Sequence, residues 1–171
     1  HNRYSTAGES GIVNAQPFLI DHSRGILALG HNGNLVNAGR LRGELERSGS
    51  IFRSTTDSEV ILHLIARSSE EDTELAILDA LNRLEGAFTL TMMTRDTLIG
   101  VRDPHGFRPL VLGKLENEQG DPAWVLASET CALDLIDAEF EREILPGEIL
   151  IVDKNGPRSI FPFPPTEPKQ S

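Results

Sequence analysis

The sequence has 171 residues, 39% of them hydrophobic and 5% aromatic, which suits one domain with an aliphatic core. Acidic residues outnumber basic ones by 26 to 16, so a nucleic-acid partner, which requires a basic surface, is not expected. The apolar runs are far shorter than the ~20 residues of a membrane helix, so no membrane span is expected. A lone cysteine, Cys131, and histidines without zinc-ligand spacing predict no disulfide, no metal site and a cytoplasmic protein.

Both ends of the sequence suggest a segment of a longer protein. The sequence opens at His1 directly into a polar motif, without a Met or an apolar leader. Its last ten residues are rich in proline, which suits an extended connector. We therefore predict one domain over residues 1–161 and a connector over residues 162–171 that leads to a second domain.

The first predicted elements are a buried strand and a helix joined by a polar loop. The strand covers residues 25–29, and the loop is His-Asn-Gly-Asn at residues 31–34. The helix runs from residue 38 to about residue 48, with Asn37 as its cap and Gly49 in the left-handed conformation at its end.

A second helix is predicted after residue 56. Thr56 and Glu59 stand at capping-box spacing, and apolar residues repeat with helical period behind them. This spacing places Asp57 in the first turn, close to the helix N-terminus.

The remainder changes from helical to strand-like patterning. A third helix is predicted to begin at Asp72 or Thr73 and to be ended by Gly86. Short apolar runs then predict strands at residues 87–94, 97–101, 109–113, 123–127, 139–144 and 147–152, with a short helix at 131–136. This order predicts an α+β fold with helices layered on largely antiparallel sheets.

The polar clusters each allow a catalytic and a structural interpretation. The Asn32 side-chain amide and the Gly33 N–H would suit an oxyanion hole, whereas Asn-Gly is also typical of a hairpin turn. Arg3, beside the hydroxyl of Thr6, would suit a carboxylate ligand or a surface ion pair. Asp57 would accept hydrogen bonds from an ammonium group, or it is simply the negative charge that the dipole at a helix N-terminus favours.

Two further segments point to architecture. Residues 102–110 (RDPHGFRPL) are typical of a tightly held turn between strands, in which the charges are expected to pair with each other. Cys131 falls in a predicted apolar helix, which favours a buried structural thiol over a nucleophile.

Six segments in this order resemble the glutaminase domain of the amidophosphoribosyltransferases, a class II glutamine amidotransferase family. They are NRYSTAG at 2–8, NAQP at 14–17, HNGNLVN at 31–37, STTDSE at 54–59, RDPHGFRPL at 102–110 and ASETCALD at 127–134. The resemblance implies an N-terminal nucleophile hydrolase fold, an αββα sandwich that is incomplete at its N-terminus. It also implies that Arg3 binds the α-carboxylate of glutamine, that Thr6 helps to hold it, that Asp57 binds its α-ammonium group, and that Asn32 with Gly33 binds the oxyanion.

In that family the nucleophile is a cysteine at the mature N-terminus, before the segment that matches His1. Cys131 matches a different, non-catalytic position, so the 171 residues alone are not expected to hydrolyse glutamine. The resemblance further implies a following phosphoribosyltransferase domain that binds phosphoribosyl pyrophosphate and Mg²⁺. Iron-sulfur ligands, in members that have them, lie mainly outside these residues, and the full-length protein is expected to be a homo-oligomer.

The parent protein would form 5-phosphoribosylamine, glutamate and pyrophosphate from glutamine, phosphoribosyl pyrophosphate and water, at the start of purine biosynthesis. Two alternatives stay open: the glutaminase domain of a hexosamine-forming aminotransferase, and a catalytically inert domain of the same fold. The sequence after residue 171 would discriminate the first alternative, and the processed N-terminus the second.

Overall fold

The computed structural model describes residues 12–116 and 120–163. The strands are β1 (Phe18–His22), β2 (Gly25–Leu35), β3 (Gly86–Met93), β4 (Leu98–Arg102), β5 (Val111–Glu116), β6 (Pro122–Ala127), β7 (Glu139–Glu143), β8 (Ile149–Asp153) and β9 (Gly156–Ile160). The helices are α1 (Ala38–Arg47), α2 (Ser58–Arg67), α3 (Thr73–Leu81) and α4 (Cys131–Asp134), after a 3-10 turn at Ile12–Asn14. No helix within these residues is long and apolar enough to cross a membrane.

The strands form two antiparallel sheets. The larger has six strands in the order β1-β2-β3-β4-β8-β9, and the smaller has three in the order β6-β5-β7. Helices α1 to α3 share one buried cluster with one face of the larger sheet. The other face of that sheet packs on the smaller sheet, whose outer face contacts α4. The order of layers is therefore helix, sheet, sheet, helix, as the resemblance implied.

Aliphatic side chains dominate the core between the helices and the larger sheet. Leu41 of α1, Ile61 of α2 and Leu29 of β2 are fully buried, and Ile77 of α3 lies in the same cluster. Truncating such a side chain to alanine typically costs about 2–5 kcal/mol. This packing holds α2, and with it Asp57, against β2.

The prediction that residues 31–34 form a loop is wrong. Strand β2 continues to Leu35, and Asn32, Gly33 and Asn34 pair with Thr89, Phe88 and Ala87 of β3. Asparagine and glycine favour turns locally, but pairing with β3 holds this segment in extended backbone and overrides that preference. The polar motif therefore lies on a strand that the sheet supports.

The predicted first helix is confirmed, but the role of Asn37 differs. Its side chain makes no capping hydrogen bond; it donates to the Arg83 carbonyl at 2.8 Å and accepts from the Glu85 N–H at 3.2 Å. Gly49 follows α1 with φ +94°, in the left-handed region as expected. Asn37 thus joins the start of α1 to the segment after α3.

The predicted capping box of the second helix is also wrong. The carboxylate of Glu59 accepts from the Arg53 and Ser54 N–H groups at 2.8 and 2.7 Å rather than from Thr56. It therefore ties down the segment before α2. Asp57 is the residue at the N-cap, so its placement at a helix N-terminus is confirmed.

The third helix begins as predicted, because the side chain of Asp72 caps it by accepting from the Leu75 N–H at 3.0 Å. Gly86 does not end it: α3 stops at Leu81, and Gly86 opens β3. The later strands and the short helix lie close to their predicted positions, whereas β1 and β9 were not predicted. The division into a domain and a connector stays a prediction, since residues 164–171 lie outside the described ranges.

Glu148 links the two sheets at a buried position. Its side chain is 1% exposed and accepts from the Arg142 guanidinium at 2.7 and 3.0 Å, from the Ser159 hydroxyl at 2.5 Å and from the Leu145 N–H at 2.7 Å. Burial alone raises the pKa of Glu148, but these hydrogen bonds outweigh burial and hold its pKa below the ordinary value.

We predict that Glu148→Gln lowers the free energy of unfolding at pH 7 by about 1.5–3 kcal/mol, because hydrogen bonds to a charged group are lost. Since the folded pKa is lowered, the wild-type contribution is present above the unfolded pKa of about 4.3 and is lost as the pH falls through the folded pKa. Urea unfolding at pH 7 and across the acid range measures both effects, with exposed Glu139→Gln as the control. Equal acid sensitivity of Glu148→Gln and wild type would contradict this assignment.

Candidate functional site

The candidate site lies on β2 where its neighbour β1 has ended. Strand β1 pairs with β2 only as far as Leu29, opposite Phe18. The next residues of β2 still pair with β3 on their other side. Residues 31–35 of β2 therefore have one edge that β1 does not cover.

The backbone N–H groups along this edge can be assigned from their hydrogen bonds. The His31 N–H donates to Gln16 Oε1 at 2.6 Å, and the Leu35 N–H donates to Asp57 Oδ2 at 3.0 Å. Opposite Gly33, the carbonyl of Phe88 accepts from the Asp103 N–H, so the polar groups of Phe88 face β4. In an antiparallel pair this arrangement turns the Gly33 N–H away from β3. It lies on the same edge, between the His31 and Leu35 donors.

Gly33 is required at its position by the close approach of β3. A Cβ built on Gly33, at φ +156°, would lie 2.1 Å from the carbonyl oxygen of Ala87 and 2.8 Å from its carbonyl carbon. Both atoms belong to the backbone and cannot move aside without disturbing the sheet. The absence of a side chain here is thus a condition for the β2–β3 pairing.

Asn32 and His31 point to opposite faces of the sheet, as successive residues of a strand do. The side chain of His31 is directed to α2, where Nδ1 lies 3.1 Å from Ser58 Oγ and 3.5 Å from Asp57 Oδ1. Gln16 Nε2 donates to the same Ser58 oxygen at 3.1 Å. Asn32 is exposed, on the face of the sheet away from these helices.

Asp57 is placed by α2 against the strand that carries Asn32 and Gly33. Asp57 is 7% exposed, and its carboxylate contacts both the Leu35 N–H and the His31 ring. The helix N-terminus favours a negative charge at this position. These two contacts hold the carboxylate beside residues 31–35 of β2.

The segment before α2 is held by a buried carboxylate. Glu59 accepts from the Ser54 hydroxyl at 2.6 Å, in addition to the two backbone donors already described. Burial raises the pKa of Glu59, but these hydrogen bonds and the nearby His63 lower it further than burial raises it. An ionised Glu59 thereby fixes the turn that leads into Asp57.

Arg3 and Thr6, the other predicted glutamine-binding residues, lie outside the described residues, and their roles stay predictions. Gln16, His31 and Ser58 were not predicted to take part. Gln16 and Ser58 are 42 positions apart, so no local pattern could indicate their contact. Within residues 12–116 and 120–163, no three His, Cys, Asp or Glu side chains are grouped as metal ligands would be.

Cys131 is exposed at the start of α4, so the prediction of a buried structural thiol is wrong. Only Leu133 of this short helix is buried, because a helix of four residues presents little of its surface to the sheet. Cys131 Sγ lies 3.4 Å from Glu129 Oε2, and this hydrogen bond, with minor desolvation and the nearby acidic charges, raises the pKa of the thiol. A raised pKa disfavours the thiolate, the nucleophilic form.

Comparison with known proteins agrees with this geometry. A family model described as the glutamine amidotransferase domain matches residues 1–135. The chain belongs to this family. The predicted N-terminal nucleophile hydrolase fold is confirmed by a solved structure, titled glutamine phosphoribosylpyrophosphate amidotransferase from B. subtilis complexed with ADP and GMP. That match has a TM-score of 0.86 and 43% identity and covers 95% of this chain and 34% of the other.

Curated relatives carry a consistent name. Amidophosphoribosyltransferase 2, chloroplastic, of Arabidopsis thaliana is 52% identical over 170 residues, which are 99% of this chain and 30% of the relative. Amidophosphoribosyltransferase of Staphylococcus epidermidis is 47% identical over 156 residues, 91% of this chain and 31% of the relative. The chain thus spans about a third or less of these proteins, in agreement with a glutaminase portion.

We predict that Cys131 reacts slowly with iodoacetamide at pH 7, despite its exposure, because its raised pKa leaves little thiolate. The pH profile of the alkylation rate should have a midpoint above that of free cysteine. Glu129→Gln removes the largest cause of the shift and should accelerate the reaction. A midpoint at or below that of free cysteine would exclude this account.

Proposed function

We propose that the chain is the glutamine-hydrolysing part of an amidophosphoribosyltransferase, which forms 5-phosphoribosylamine, glutamate and pyrophosphate from glutamine, phosphoribosyl pyrophosphate and water. This reaction would begin purine biosynthesis. The observation that carries the proposal is the Gly33 N–H, which faces away from β3 on the edge of β2 that β1 does not cover, beside the exposed Asn32 amide. The names of the relatives support the choice of overall reaction.

Asn32 and Gly33 would stabilise the negative charge that develops when the glutamine amide is attacked. A strand held by β3 on one side supplies donors that need no rearrangement during the reaction, which is the basis of electrostatic catalysis. The Asn32 side-chain N–H and the Gly33 backbone N–H form the proposed donor pair. The pairing with β3 therefore contributes the rigidity of this donor pair.

Asp57, Arg3 and Thr6 would bind the charged groups of glutamine. In this proposal the Asp57 carboxylate accepts from the α-ammonium group, Arg3 pairs with the α-carboxylate and Thr6 supports that contact. The role of Asp57 is supported by its placement against residues 31–35. The roles of Arg3 and Thr6 are supported by the segment NRYSTAG at residues 2–8, which resembles the family. Glutamine is the expected substrate of this site.

The remaining parts of the reaction are proposed for the longer protein. The nucleophile would be the cysteine that the family carries at its mature N-terminus, with its own α-amino group as the base. A second domain would bind phosphoribosyl pyrophosphate with Mg²⁺ and receive the ammonia. We further propose a cytoplasmic homo-oligomer; an iron-sulfur cluster, where present, would use ligands that lie mainly outside these residues.

We predict that Asn32→Ala in the full-length protein lowers kcat for glutamine hydrolysis by about 10²–10³-fold, the usual effect of removing one oxyanion donor. Steady-state release of glutamate measures it. Asn34→Ala is the matched control, since Asn34 is exposed two residues further along the same face of β2. Unchanged kcat in Asn32→Ala would remove Asn32 from the oxyanion site. If the full-length protein prefers fructose 6-phosphate as acceptor, the result would instead favour a hexosamine-forming enzyme. If the wild-type protein does not hydrolyse glutamine, the result would favour a catalytically inert domain.

We predict that Arg3→Ala raises KM for glutamine about tenfold or more, since a lost charge-assisted hydrogen bond is worth about 1.5–3 kcal/mol. Asp57→Asn should raise KM as well, while its remaining side-chain oxygen can still accept from Leu35. Glutamate release over a range of glutamine concentrations provides the values, and thermal unfolding checks that the fold is retained. If KM is unchanged in one of these variants, the residue replaced in that variant does not bind glutamine.

A further inference from the structure

The turn formed by residues 102–110, called here the 102–110 turn, has no part in the function proposed above. It joins β4 to β5 and is held by hydrogen bonds from the side chains of Arg102 and Asp103. Its predicted tight geometry is confirmed, with Gly106 in the left-handed region at φ +63°. The side chains of Arg102 and Asp103, however, bind backbone groups instead of each other.

Asp103 is the buried centre of the turn. The residue is 0% exposed, and its carboxylate accepts from the His105 N–H at 2.9 Å and from the Phe107 N–H at 3.2 Å. A buried carboxylate is costly unless such donors compensate it. The position of Asp103 is therefore closely tied to the conformation of the whole turn.

Arg102 closes the turn from the other side. Its guanidinium donates to the carbonyls of Arg108 at 2.9 Å, Gly106 at 3.0 Å and Ile144 at 2.7 Å. Three carbonyls from two segments are thus held by one planar group, which has a fixed donor geometry. The turn is consequently anchored to the segment before Glu148.

The 102–110 turn makes two hydrogen bonds to β3. The Asp103 N–H donates to the Phe88 carbonyl at 2.9 Å, and the Thr89 hydroxyl donates to the Arg108 carbonyl at 3.2 Å. Phe88 and Thr89 are the register partners of Gly33 and Asn32. The turn therefore contacts β3 at the two residues that lie opposite the proposed oxyanion donors.

The contact between β3 and β2 at this point leaves little freedom. Because the Ala87 carbonyl lies where a Gly33 side chain would be, a shift of β3 must displace Gly33 or break the pairing. The bond from Asp103 also keeps the Phe88 carbonyl turned to β4, which is the orientation that leaves the Gly33 N–H facing outward. The position of β3 thus determines where both donors point.

We propose that Asp103 and Thr89 are positioning residues for the oxyanion site, through which the 102–110 turn sets β3, and so Asn32 and Gly33, in register. The inference rests on the proposed function, since it assigns the turn a role in that same site. Displacing reacting groups by about 1 Å can cost on the order of 10²-fold in rate. A change in the turn should therefore reduce kcat without removing any group that touches glutamine.

The first test is Thr89→Val in the full-length enzyme, with glutamate release as the readout. Valine removes the hydroxyl that bonds Arg108, whose carbonyl still accepts from Arg102. We expect kcat to fall about three- to tenfold, the equivalent of one neutral hydrogen bond, while KM for glutamine changes less than about twofold. Thr89→Ser, which keeps the hydroxyl, should restore kcat.

Thr91→Val is the matched control, because Thr91 lies two residues along the same face of β3, opposite Gly30 and Gly100. It should leave kcat unchanged. Asp103→Asn provides a second variant if Thr89→Val does not fold; it keeps one acceptor oxygen but removes the charge, and a larger loss of kcat than of affinity is expected.

Three outcomes would overturn the inference. In the first, Thr89→Val and Asp103→Asn lower thermal stability but leave kcat unchanged. In the second, Thr91→Val lowers kcat as much as Thr89→Val, and in the third, Thr89→Ser does not restore kcat. Asn32→Ala separates this failure from failure of the proposed function. Loss of kcat in Asn32→Ala but not in the Thr89 and Asp103 variants overturns only the role of the turn. Unchanged kcat in Asn32→Ala overturns the oxyanion site and this inference with it.

Discussion

The close contact between the backbones of β2 and β3 at Gly33 is the constraint on which the site depends. The Ala87 carbonyl occupies the space that any side chain at Gly33 would need. Glycine usually weakens a strand, because it contributes no packing and loses more conformational entropy on folding. Here glycine permits a pairing with β3 that holds Asn32 in extended backbone on the exposed face of the sheet.

The edge of β2 shows how structural and functional requirements meet in the same residues. Buried backbone donors must find acceptors, and among residues 12–116 and 120–163 no strand pairs with β2 on this side beyond Leu29. Gln16 and Asp57 accept from His31 and Leu35 instead. Asp57 therefore completes the strand edge whether or not glutamine is bound, which explains why both sequence interpretations of this residue describe the same position.

Much of the fold was predictable because it depends on local patterns. Helix periodicity located α1 to α3, and short apolar runs located β3 to β8. The loop assigned to residues 31–34 was wrong because asparagine and glycine were judged by their turn preference, while pairing with a strand more than 50 positions away decides their conformation. The same limit applies to Gln16 and Ser58. For Cys131, the apolar neighbours suggested burial, but α4 is too short to bury more than Leu133.

Two buried carboxylates lie across β3 from the proposed donors: Asp103, directly after β4, and Glu148, directly before β8. Each is compensated by N–H, hydroxyl or guanidinium donors, so neither leaves an unpaired charge in the core. Such arrangements often add little net stability over apolar packing, because desolvation cancels much of the attraction. What they do provide is direction: Asp103 fixes the His105 and Phe107 N–H groups, and Glu148 fixes the Leu145 N–H together with two side chains. The proposed oxyanion site depends on the orientation of the Gly33 N–H. Fixed orientations of neighbouring groups therefore matter more to this site than a higher free energy of unfolding.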